Sequence, residues 1–534
     1  MFKIVESHDM SEYMAMLATS STVYMDNRRL EQAHRECCYE CEDLKSVATL
    51  CLNTESAGLY SILDKDFVID FLRRIGVDMD SRFANRKTKS PSLDMTRVVE
   101  PLIDAGVAVE LLSTYKSYRK CSSYVSSLRK LCESKTYHGS TVTGRDIVRF
   151  PTHMEEKENL RVYYKDIAVV SVPKKYSNMI TGPSDAYYIA WCDFPQADWR
   201  IAYNLFIRDE NNEQVMRSCE DSYEGLARLV EGEKFNEDTF KQHRKEYKVH
   251  CLKVFYNSRD NALVPSAIRN FYRSCPKYQK IIYDLSILYK FKLPIPVTSY
   301  FGYEQLVPEG EYPDKFISKA LNTPIQTGTS HLVNETVMGI LNTFWSLGYT
   351  KEDINIYYVR HDEFLFLFTK KVLKDAWVFK EYSEIHIPGF TPIHLDFHYG
   401  RYYQEEDEVL TKEVERSIEA SNHEYNVYSG GVAKNYNPYP TVEHVYARLL
   451  NTEDGIVVQM HNYRNKNQIT IPVEASDHIE SLTEALRTGV MSWLGNPQYL
   501  LVSMNNVSAM LYAGEDESTL VKVVDQYDSN GTFK

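Results

Sequence analysis

The sequence contains no run of about 20 apolar residues, the length that a helix needs to cross a bilayer. Its first residues include Glu6 and Asp9 where a secretory signal would be basic, so we expect neither secretion nor membrane insertion. Only 10 of the 534 residues are cysteine, which is too few for a disulfide scaffold. We therefore expect reduced thiols in a cytoplasmic protein. Internal repeats and low-complexity tracts are also lacking by inspection.

What the chain does have is the composition of a soluble globular protein, with 43% hydrophobic and 25% charged residues. That balance excludes a largely disordered or collagen-like chain, and the length of 534 residues indicates several domains. The net charge of −13 is uneven, because residues 405–534 hold 20 acidic and 9 basic side chains, which leaves −2 on the first 404 residues. Any binding to nucleic acid must therefore come from local basic grooves.

The residue pattern predicts a mainly helical first part and then a mixture of helices and strands. Apolar segments at 167–173 and 186–194 predict strands, and the segment 405–415 predicts a linker or a surface helix. Two apolar runs within 354–368 predict a hairpin with charged residues at its turn. The predicted helices are 26–52, 67–75, 94–131, 240–255 and 314–348.

Three patches contain the residue types that phosphoryl transfer requires. Asp193 ends an apolar strand, Arg244 and Lys248 lie one helical turn apart, and Asp362 lies at the hairpin turn. Two aspartates at strand ends can hold two Mg²⁺ ions about 4 Å apart, while an Arg/Lys pair can neutralise a triphosphate. Taken singly each patch is weak, because a strand-end Asp is usually a turn or cap residue and such a cationic pair is usually a solvated helix face.

Taken in order, the patches resemble the motifs of the family A DNA polymerases, the bacterial DNA polymerase I type. The resemblance covers roughly residues 20–404. TVYMDNRRLEQ (22–32) resembles the opening of that polymerase domain, and Arg161 stands twelve residues before Pro173, as a minor-groove arginine does in the family. Segments 90–103 and 113–131 resemble its thumb, and ALNTPIQTGTSHLVNE (320–335) resembles its Asn-x-Pro-x-Gln-Gly-Thr helix start.

The resemblance implies a two-metal catalytic centre. Asp193 and Asp362 would bind two Mg²⁺ ions, for which Mn²⁺ can substitute, with the carbonyl of Phe194 as a further ligand. Glu363 would be a supporting acid near them, and His361 would lie beside the primer terminus.

The resemblance also implies contacts with the substrates. Arg244 and Lys248 would bind the triphosphate of the incoming dNTP, and Lys248 would give a proton to the leaving pyrophosphate. Tyr256 would pack at the junction of template and nucleotide. The residues implied to contact primer–template DNA, besides His361, are Arg161, Asn322, Gln326, Arg119 and Lys120.

Some positions depart from the family pattern. Asp198 stands where the family usually has a glutamate that excludes ribonucleotides, and Leu252 stands where it has Phe or Tyr under the sugar. Lys253 replaces a common glycine. Tyr303 and Glu304 replace paired arginines, and Ser318 replaces another arginine, so discrimination between sugars and the minor-groove contacts are in question.

The implied fold is an α+β right-hand polymerase with a helical thumb, an antiparallel palm, helical fingers and a small C-terminal α+β domain. The implied activity is template-directed addition of dNMPs to a primer 3′ end. Because the match begins near residue 20, we expect no intrinsic proofreading nuclease, as in a divergent bacteriophage enzyme of the host cytoplasm. The expected divisions are an extension (1–20), polymerase start and thumb (21–150), first palm part (151–235), fingers (236–300), second palm part (301–404) and an additional domain (405–534).

Two alternatives remain open. A single-subunit RNA polymerase or another ribonucleotide-tolerant primer-extending enzyme would fit Asp198 and Leu252, although the fingers helix and the Gln326 segment argue against it. A non-catalytic DNA-binding scaffold is the alternative of another class. It has no need of Asp193 and Asp362, whose charge repels phosphate.

Two regions carry no motif of this kind. Residues 405–534 contain segments typical of strands, such as 455–461, 467–473 and 498–504, and we expect this region to attach other replication proteins, including a separate proofreading nuclease. The alternative is a domain that only braces the palm. Cys38 and Cys41, with His34, Cys37 and Cys51 nearby, could form a zinc site. They lie in an apparently continuous helix without a second CxxC pair, so ordinary thiols are the favoured interpretation.

Overall fold

The structure is a computed structural model, and it describes the larger part of the chain. The described residues are 22–52, 62–81, 83–84, 90–151, 153–156, 162–165, 174–256, 264–290, 294–300, 304–308, 312–360, 362–386, 391–421, 423, 425, 428–429, 437–462, 467–472, 499–504, 507–512 and 520–525. Within these ranges, none of the helices combines the length and the apolar character that a bilayer span requires. The predicted strand at 167–173 and the residues Arg161 and His361 lie outside the described residues.

Long helices dominate the first two thirds of the chain. Those in the described part are α1 (Asn27–Leu52), α2 (Lys65–Arg74), α3 (Glu100–Asp104), α4 (Val109–Ser134), α5 (Ala197–Phe206), α6 (Glu210–Arg217), α7 (Ser222–Glu231), α8 (Glu237–Phe255), α9 (Ser266–Ser274), α10 (Pro276–Lys290), α11 (Pro313–Ser346), α12 (Trp377–Glu381) and α13 (Glu408–Ala420).

The strands form several small sheets and one larger sheet near the C-terminus. In chain order they are β1 (Thr22–Asp26), β2 (Thr136–Ser140), β3 (Asp146–Pro151), β4 (His153–Glu156), β5 (Val162–Lys165), β6 (Ile180–Thr181), β7 (Tyr187–Asp193), β8 (Ile295–Thr298), β9 (Glu304–Val307), β10 (Ile354–Arg360), β11 (Glu363–Thr369), β12 (Glu384–His386), β13 (Ile393–His394), β14 (His398–Gly400), β15 (Tyr428–Ser429), β16 (Val442–Thr452), β17 (Gly455–Asn462), β18 (Gln468–Pro472), β19 (Tyr499–Met504), β20 (Val507–Tyr512) and β21 (Leu520–Asp525).

Helices α1 and α4 pack side by side near the N-terminus. Helix α1 begins after Asp26, whose carboxylate accepts hydrogen bonds from the backbone N–H groups of Arg28 and Arg29 at 3.0 and 3.2 Å. The prediction of one helix over 94–131 was wrong, because left-handed backbone at Gly106 and Ala108 separates α3 from α4.

A four-stranded antiparallel sheet occupies the middle of the molecule, in the order β10-β11-β7-β14. Apolar side chains of β11 fill the core beneath it, and Phe364, Leu365 and Phe366 are fully buried. The long helix α11 packs against β10, β11 and α5. The predicted hairpin at 354–368 is confirmed as β10 and β11. The candidate site lies at one edge of this sheet.

Helices α7 to α10 pack around aromatic side chains beside this sheet. Phe255, at the end of α8, contacts Trp199, Phe206 and Tyr278, with ring centroids 5.4 to 5.8 Å apart. Because these contacts join α5, α8 and α10, the cationic helix α8 is anchored to the segment that follows β7.

The C-terminal region joins the rest of the chain through α13 and through residues 437–442. Helix α13 includes residues 408–415 of the acidic segment that was predicted as a linker or surface helix, and its Leu410 and Val414 are buried in the main core. The larger sheet has the order β18-β17-β16-β19-β20-β21, with β16 and β19 parallel and the other pairs antiparallel. The three segments predicted as strands are confirmed as β17, β18 and β19.

Candidate active site

The candidate active site lies at the end of β7. Asp193 is the last residue of β7 and stands directly opposite Glu363, the first residue of β11. Directly opposed residues of antiparallel strands project from the same face, so these two carboxylates share one side of the sheet. The backbone N–H of Phe194 donates to the carbonyl oxygen of Asp362 at 3.2 Å, which brings the third acid to the same edge.

The carboxylates at this edge differ in their surroundings. Asp193 is exposed, whereas Asp362 and Glu363 are half-buried. The amide of Gln404 donates to Glu363 at 2.7 Å, and Gln404 has a left-handed backbone with φ 65°. Asp193 is therefore accessible to a ligand, while Glu363 is held in one orientation by a residue that the sequence patterns did not single out.

A further acid, Asp396, lies near this edge. Strand β14 pairs with β7 so that His398 faces Trp191, and Asp396 stands two residues before this strand. Burial raises the pKa of the Cys192 thiol, and the nearby charges of Asp193, Asp396 and Glu363 raise it further. Sequence reasoning missed Asp396, because nothing local shows which strand lies on the other side of β7.

This edge offers oxygen ligands of the type that hard cations bind, while the carboxylates of Asp193, Asp362 and Glu363 do not all lie within 4.8 Å of one another in the described structure. Carboxylate and carbonyl oxygens are the ligands that Mg²⁺ prefers. The carbonyl oxygen of Phe194 accepts one long hydrogen bond, from the N–H of Ala197 at 3.4 Å, so a second lone pair remains. Asp193, Asp362 and Phe194 therefore have the chemistry that divalent metal ions require.

Asp198 lies in the first turn of α5 and is bound by the long helix α11. The amide of Gln326 donates to its carboxylate at 2.7 Å, and the hydroxyl of Thr329 donates at 2.5 Å. Gln326 was predicted to contact DNA, but in this structure its amide is engaged with Asp198. Thr329, which is buried, was not predicted at all, although it follows Gln326 within the recognised segment.

Tyr223 is the aromatic centre of the neighbouring cationic cluster. Its ring stacks on Trp199 at 5.7 Å, and Trp199 directly follows Asp198. The Arg244 guanidinium lies 5.7 Å and the Lys248 ammonium 5.5 Å from the centre of the Tyr223 ring. Burial raises the pKa of Tyr223 well above its ordinary value, so its ring stays neutral beneath the two cations.

An acid already neutralises one of these cations. The Nε of Arg244 forms an ion pair with the carboxylate of Asp221, which also accepts the N–H of Tyr223 and so caps α7. Lys248 is exposed. The ion pair with Asp221 was not predicted, because the two residues lie on different helices.

The other predicted nucleotide contacts lie at the end of α8. Tyr256 directly follows this helix, and its ring contacts that of Phe255 edge-on at 5.0 Å. Tyr256 and Asp198 both act electrostatically on Tyr223, which puts these groups near one another. Leu252, one turn before Tyr256, is partly buried against the main core.

The predicted DNA contacts are distributed over two helices. Arg119 and Lys120 are exposed on α4, where they line an open recess of about 610 Å³ together with Lys65 and Lys116. Asn322 and Gln326 lie one turn apart on α11, and both are half-buried. The predicted contacts Arg161 and His361 belong to the undescribed part of the chain.

Comparisons with known proteins support the fold. No protein-family model matches this sequence, and no curated protein sequence matches it. Among solved structures, the chain is similar to the POL domain of Pol1 from M. smegmatis in complex with DNA primer-template and dNTP. The TM-score is 0.57 at 14% sequence identity, with 74% of this chain and 70% of that chain covered. The chain is therefore a mixed helix-and-sheet protein whose fold is similar to that of a DNA polymerase domain.

Proposed function

We propose that this chain is a template-directed DNA polymerase that adds deoxynucleoside monophosphates to a primer 3′ end. The observation that carries the proposal is the cross-strand pair of Asp193 and Glu363, with Asp362 beside it at the same sheet edge. Carboxylates grouped there would weaken simple binding of DNA, because they repel phosphate. In phosphoryl transfer, by contrast, neighbouring carboxylates are required, because they bind the metal ions that also contact the phosphates.

Asp193, Asp362 and the Phe194 carbonyl would hold two Mg²⁺ ions, with Mn²⁺ as a substitute. When bound, such ions stabilise the attacking and leaving oxygens of an in-line displacement. Asp193 is exposed and can reach a ligand from solvent. Glu363, held by Gln404, would add negative charge beside the ligands.

Arg244 and Lys248 would bind the triphosphate of the incoming dNTP. Both cations lie over Tyr223, which keeps them on one side of α8. Arg244 would have to leave its ion pair with Asp221 before it binds phosphate oxygens. Lys248 is exposed and would contact the triphosphate first. Lys248 Nζ is also the group that would give a proton to the leaving pyrophosphate.

The sugar and the template strand would meet α5, α8 and α11. Asp198, fixed by Gln326 and Thr329, would lie beside the sugar, and Leu252 and Tyr256 would form the apolar surface under it and under the templating base. Asn322 and His361 would contact the primer end. In this structure Gln326 serves Asp198, so we propose that its contact with DNA is secondary.

We propose a layout in which α1 and α4 form a thumb, β7, β10 and β11 form a palm, and α7 to α10 form fingers. Arg119 and Lys120 on α4 would grip the duplex backbone, together with Arg161. We propose further that no proofreading activity resides in this chain, that the enzyme serves bacteriophage replication in the host cytoplasm, and that residues 405–534 attach other replication proteins.

Primer extension tests the proposal. The full chain should extend a primer with dNTPs when Mg²⁺ is present and should be inactive after chelation. Preference for rNTPs would support the RNA polymerase alternative, and DNA binding without incorporation would support the scaffold alternative. A metal-dependent 3′–5′ activity that a substitution in this chain removes would contradict the proposed absence of proofreading.

A further inference from the structure

Three thiols from two long helices meet in the core between α1 and α4. Cys37 and Cys41 lie one turn apart on α1, and Cys121 lies on α4. Their exposed fractions are 0%, 7% and 3%. The Cys121 thiol donates to the carbonyl oxygen of Cys37 at 3.3 Å, and it also contacts the thiol of Cys41.

A carboxylate lies beside these thiols. Glu40 is on the same helix as Cys37, and the ligand atoms of Cys37, Glu40 and Cys121 all lie within 4.8 Å of one another. Glu40 is exposed, so the cluster can be reached from solvent on that side. The ammonium of Lys175 lies 2.6 Å from the Glu40 carboxylate and supplies a positive charge at the entrance.

We propose that Cys37, Cys41 and Cys121, with Glu40 as the fourth ligand, bind one Zn²⁺ ion between α1 and α4. Thiolate sulfur is a preferred ligand of zinc, and structural zinc sites are tetrahedral with four protein ligands. Sulfurs on one zinc ion lie about 3.8 Å apart when each Zn–S bond is about 2.3 Å, so the side chains of Cys37, Glu40 and Cys121 have to move closer together. The thiol of Cys41 contacts that of Cys121 but lies outside this group of three, so it has to move as well.

Binding of zinc at this site would change both its protonation and its net charge. Binding converts three thiols to thiolates and releases three protons, so affinity for zinc should increase with pH. Three thiolates and one carboxylate around a divalent ion leave a net charge of −2, which Lys175 partly offsets. The competing explanation is three reduced thiols that act as small apolar side chains, which is common for buried cysteine.

Such an ion would fix the position of α4 on α1. Arg119 and Lys120 directly precede Cys121, so the same cross-link would orient the cations that we propose for the duplex backbone. This consequence rests on the proposed polymerase function, whereas the zinc site does not. Loss of polymerase activity with intact zinc binding would therefore contradict only the former.

Metal content and cobalt spectroscopy test the site. The full chain, purified without chelator and with a non-coordinating reductant, should contain one zinc ion per chain by elemental analysis. Replacement by Co²⁺ should give the near-ultraviolet absorption of thiolate-to-cobalt charge transfer, which carboxylate sites such as that at Asp193 do not produce. Cys121→Ser and Cys37→Ser should lower the affinity for metal on the order of tenfold or more.

A matched control separates zinc binding from general damage to the helix. Cys132→Ser changes another thiol of α4 outside the cluster, and it should keep full metal content. The wild-type protein should also unfold at a lower temperature after chelation, which needs no variant. A metal-free wild-type chain that gives no charge-transfer band with Co²⁺ would overturn the proposal. Equal loss of metal in Cys132→Ser and Cys121→Ser would overturn it too.

Discussion

Gln326 and Asp198 lie 128 residues apart in the sequence, and the amide Nε2 of Gln326 donates to the Asp198 carboxylate at 2.7 Å. Thr329 donates to the other oxygen of the same carboxylate. The Asp198 carboxylate is thus held by two hydrogen-bond donors on α11. Its orientation therefore depends on a helix that the residues around Asp198 do not reveal.

Removal of one of these donors should weaken selection of the sugar. We predict that Thr329→Val lowers the preference for dNTPs over rNTPs by about tenfold, because one hydrogen bond to a carboxylate contributes about 1.5 kcal/mol. The measurement is kcat/KM for both nucleotide types. Thr329→Ser keeps the hydroxyl and should retain most of the preference. An unchanged preference in Thr329→Val would show that the hydrogen bond from Thr329 to Asp198 does not serve selection of the sugar.

Neutralisation of either metal-binding candidate should stop synthesis. Asp193→Asn and Asp362→Asn should each abolish primer extension while primer–template affinity changes only a few-fold, because metal ions stabilise charge in the transition state and duplex affinity comes mainly from backbone contacts. Extension gels and binding titrations measure the two effects separately. Glu233→Gln changes an exposed acid elsewhere and should be neutral. Substantial activity in one of the first two variants would remove that residue from the site.

Lys248→Ala should slow incorporation and raise the KM for dNTP. One charge-assisted contact to phosphate contributes about 1.5–3 kcal/mol, which corresponds to roughly a tenfold to hundredfold loss in kcat/KM. Single-nucleotide kinetics measure both parameters. An unchanged rate and KM would show that α8 does not present this residue to the triphosphate.

Substitution of Asp221 should lower the KM for dNTP, in contrast to substitution of Lys248, because Asp221 competes with the nucleotide for Arg244. We predict that Asp221→Asn lowers the KM for dNTP several-fold, since the guanidinium no longer has to leave a carboxylate. Asparagine also caps helices, so the cap of α7 should persist. The same substitution in an Arg244→Ala background is the control and should change KM little. A higher KM in the single variant would mean that Asp221 positions Arg244 for the nucleotide.

Lys277 gives a prediction for the pH dependence of stability. Burial, with a smaller effect of Arg208, lowers the pKa of Lys277 from 10.5 to about 8, and its ammonium donates to the Asn204 carbonyl oxygen at 3.2 Å. Between these two pH values the unfolded chain binds more protons than the folded chain, so the free energy of unfolding should rise with pH in that window. At neutral pH the charged group costs about 3 kcal/mol.

Lys277→Met should therefore stabilise the protein at pH 7 and flatten its stability profile between pH 8 and 10.5. Urea unfolding at several pH values measures both effects. Lys280→Met, at an exposed position on the same helix, is the control and should change little. An unchanged profile in Lys277→Met would show that Lys277 reaches solvent when charged.

Local patterns in the sequence predicted which strands form the site, but they did not predict how these strands pair. Apolar runs rich in β-branched and aromatic residues beside Asp193 and Asp362 predicted strands with acids at their ends, and both strands are present as β7 and β11. The side-by-side pairing of those strands followed from resemblance to a family. No local rule pairs two strands that are separated by the seven helices α5 to α11.

Contacts between helices were not predictable in the same way. The Asp221–Arg244 pair and the Thr329–Asp198 hydrogen bond each join residues on different elements, and they depend on how α7, α8, α5 and α11 pack. Tyr223 is one of 40 tyrosines and carries no local signal, yet its ring supports both cations. Its importance comes from packing on Trp199, which only the tertiary structure reveals.

The last prediction concerns the junction between the C-terminal region and the rest of the chain. Tyr439 is buried, its hydroxyl donates to the carbonyl oxygen of Ala320 on α11 at 3.1 Å, and its ring stacks on Phe206 of α5. The N–H of Thr298 donates to the carbonyl oxygen of Pro438 at 2.8 Å. Residues 437–442 therefore brace two helices that flank the candidate site.

Tyr439→Ala should lower the free energy of unfolding by about 3–5 kcal/mol, because it removes a buried aromatic ring and leaves a cavity beside Phe206. Single-nucleotide incorporation should then fail at a lower temperature than in the wild type, since α5 carries Asp198. Tyr446→Ala, at an exposed position of β16, is the matched control and should be near neutral.

Deletion of 410–534 should destabilise the protein more than Tyr439→Ala does, because it also removes the buried Leu410 and Val414. A soluble truncated protein that extends a short primer normally would show that the contacts of this region with α5 and α11 are dispensable. Failure of that protein only in long-template synthesis with partner proteins would support the proposed role in attachment.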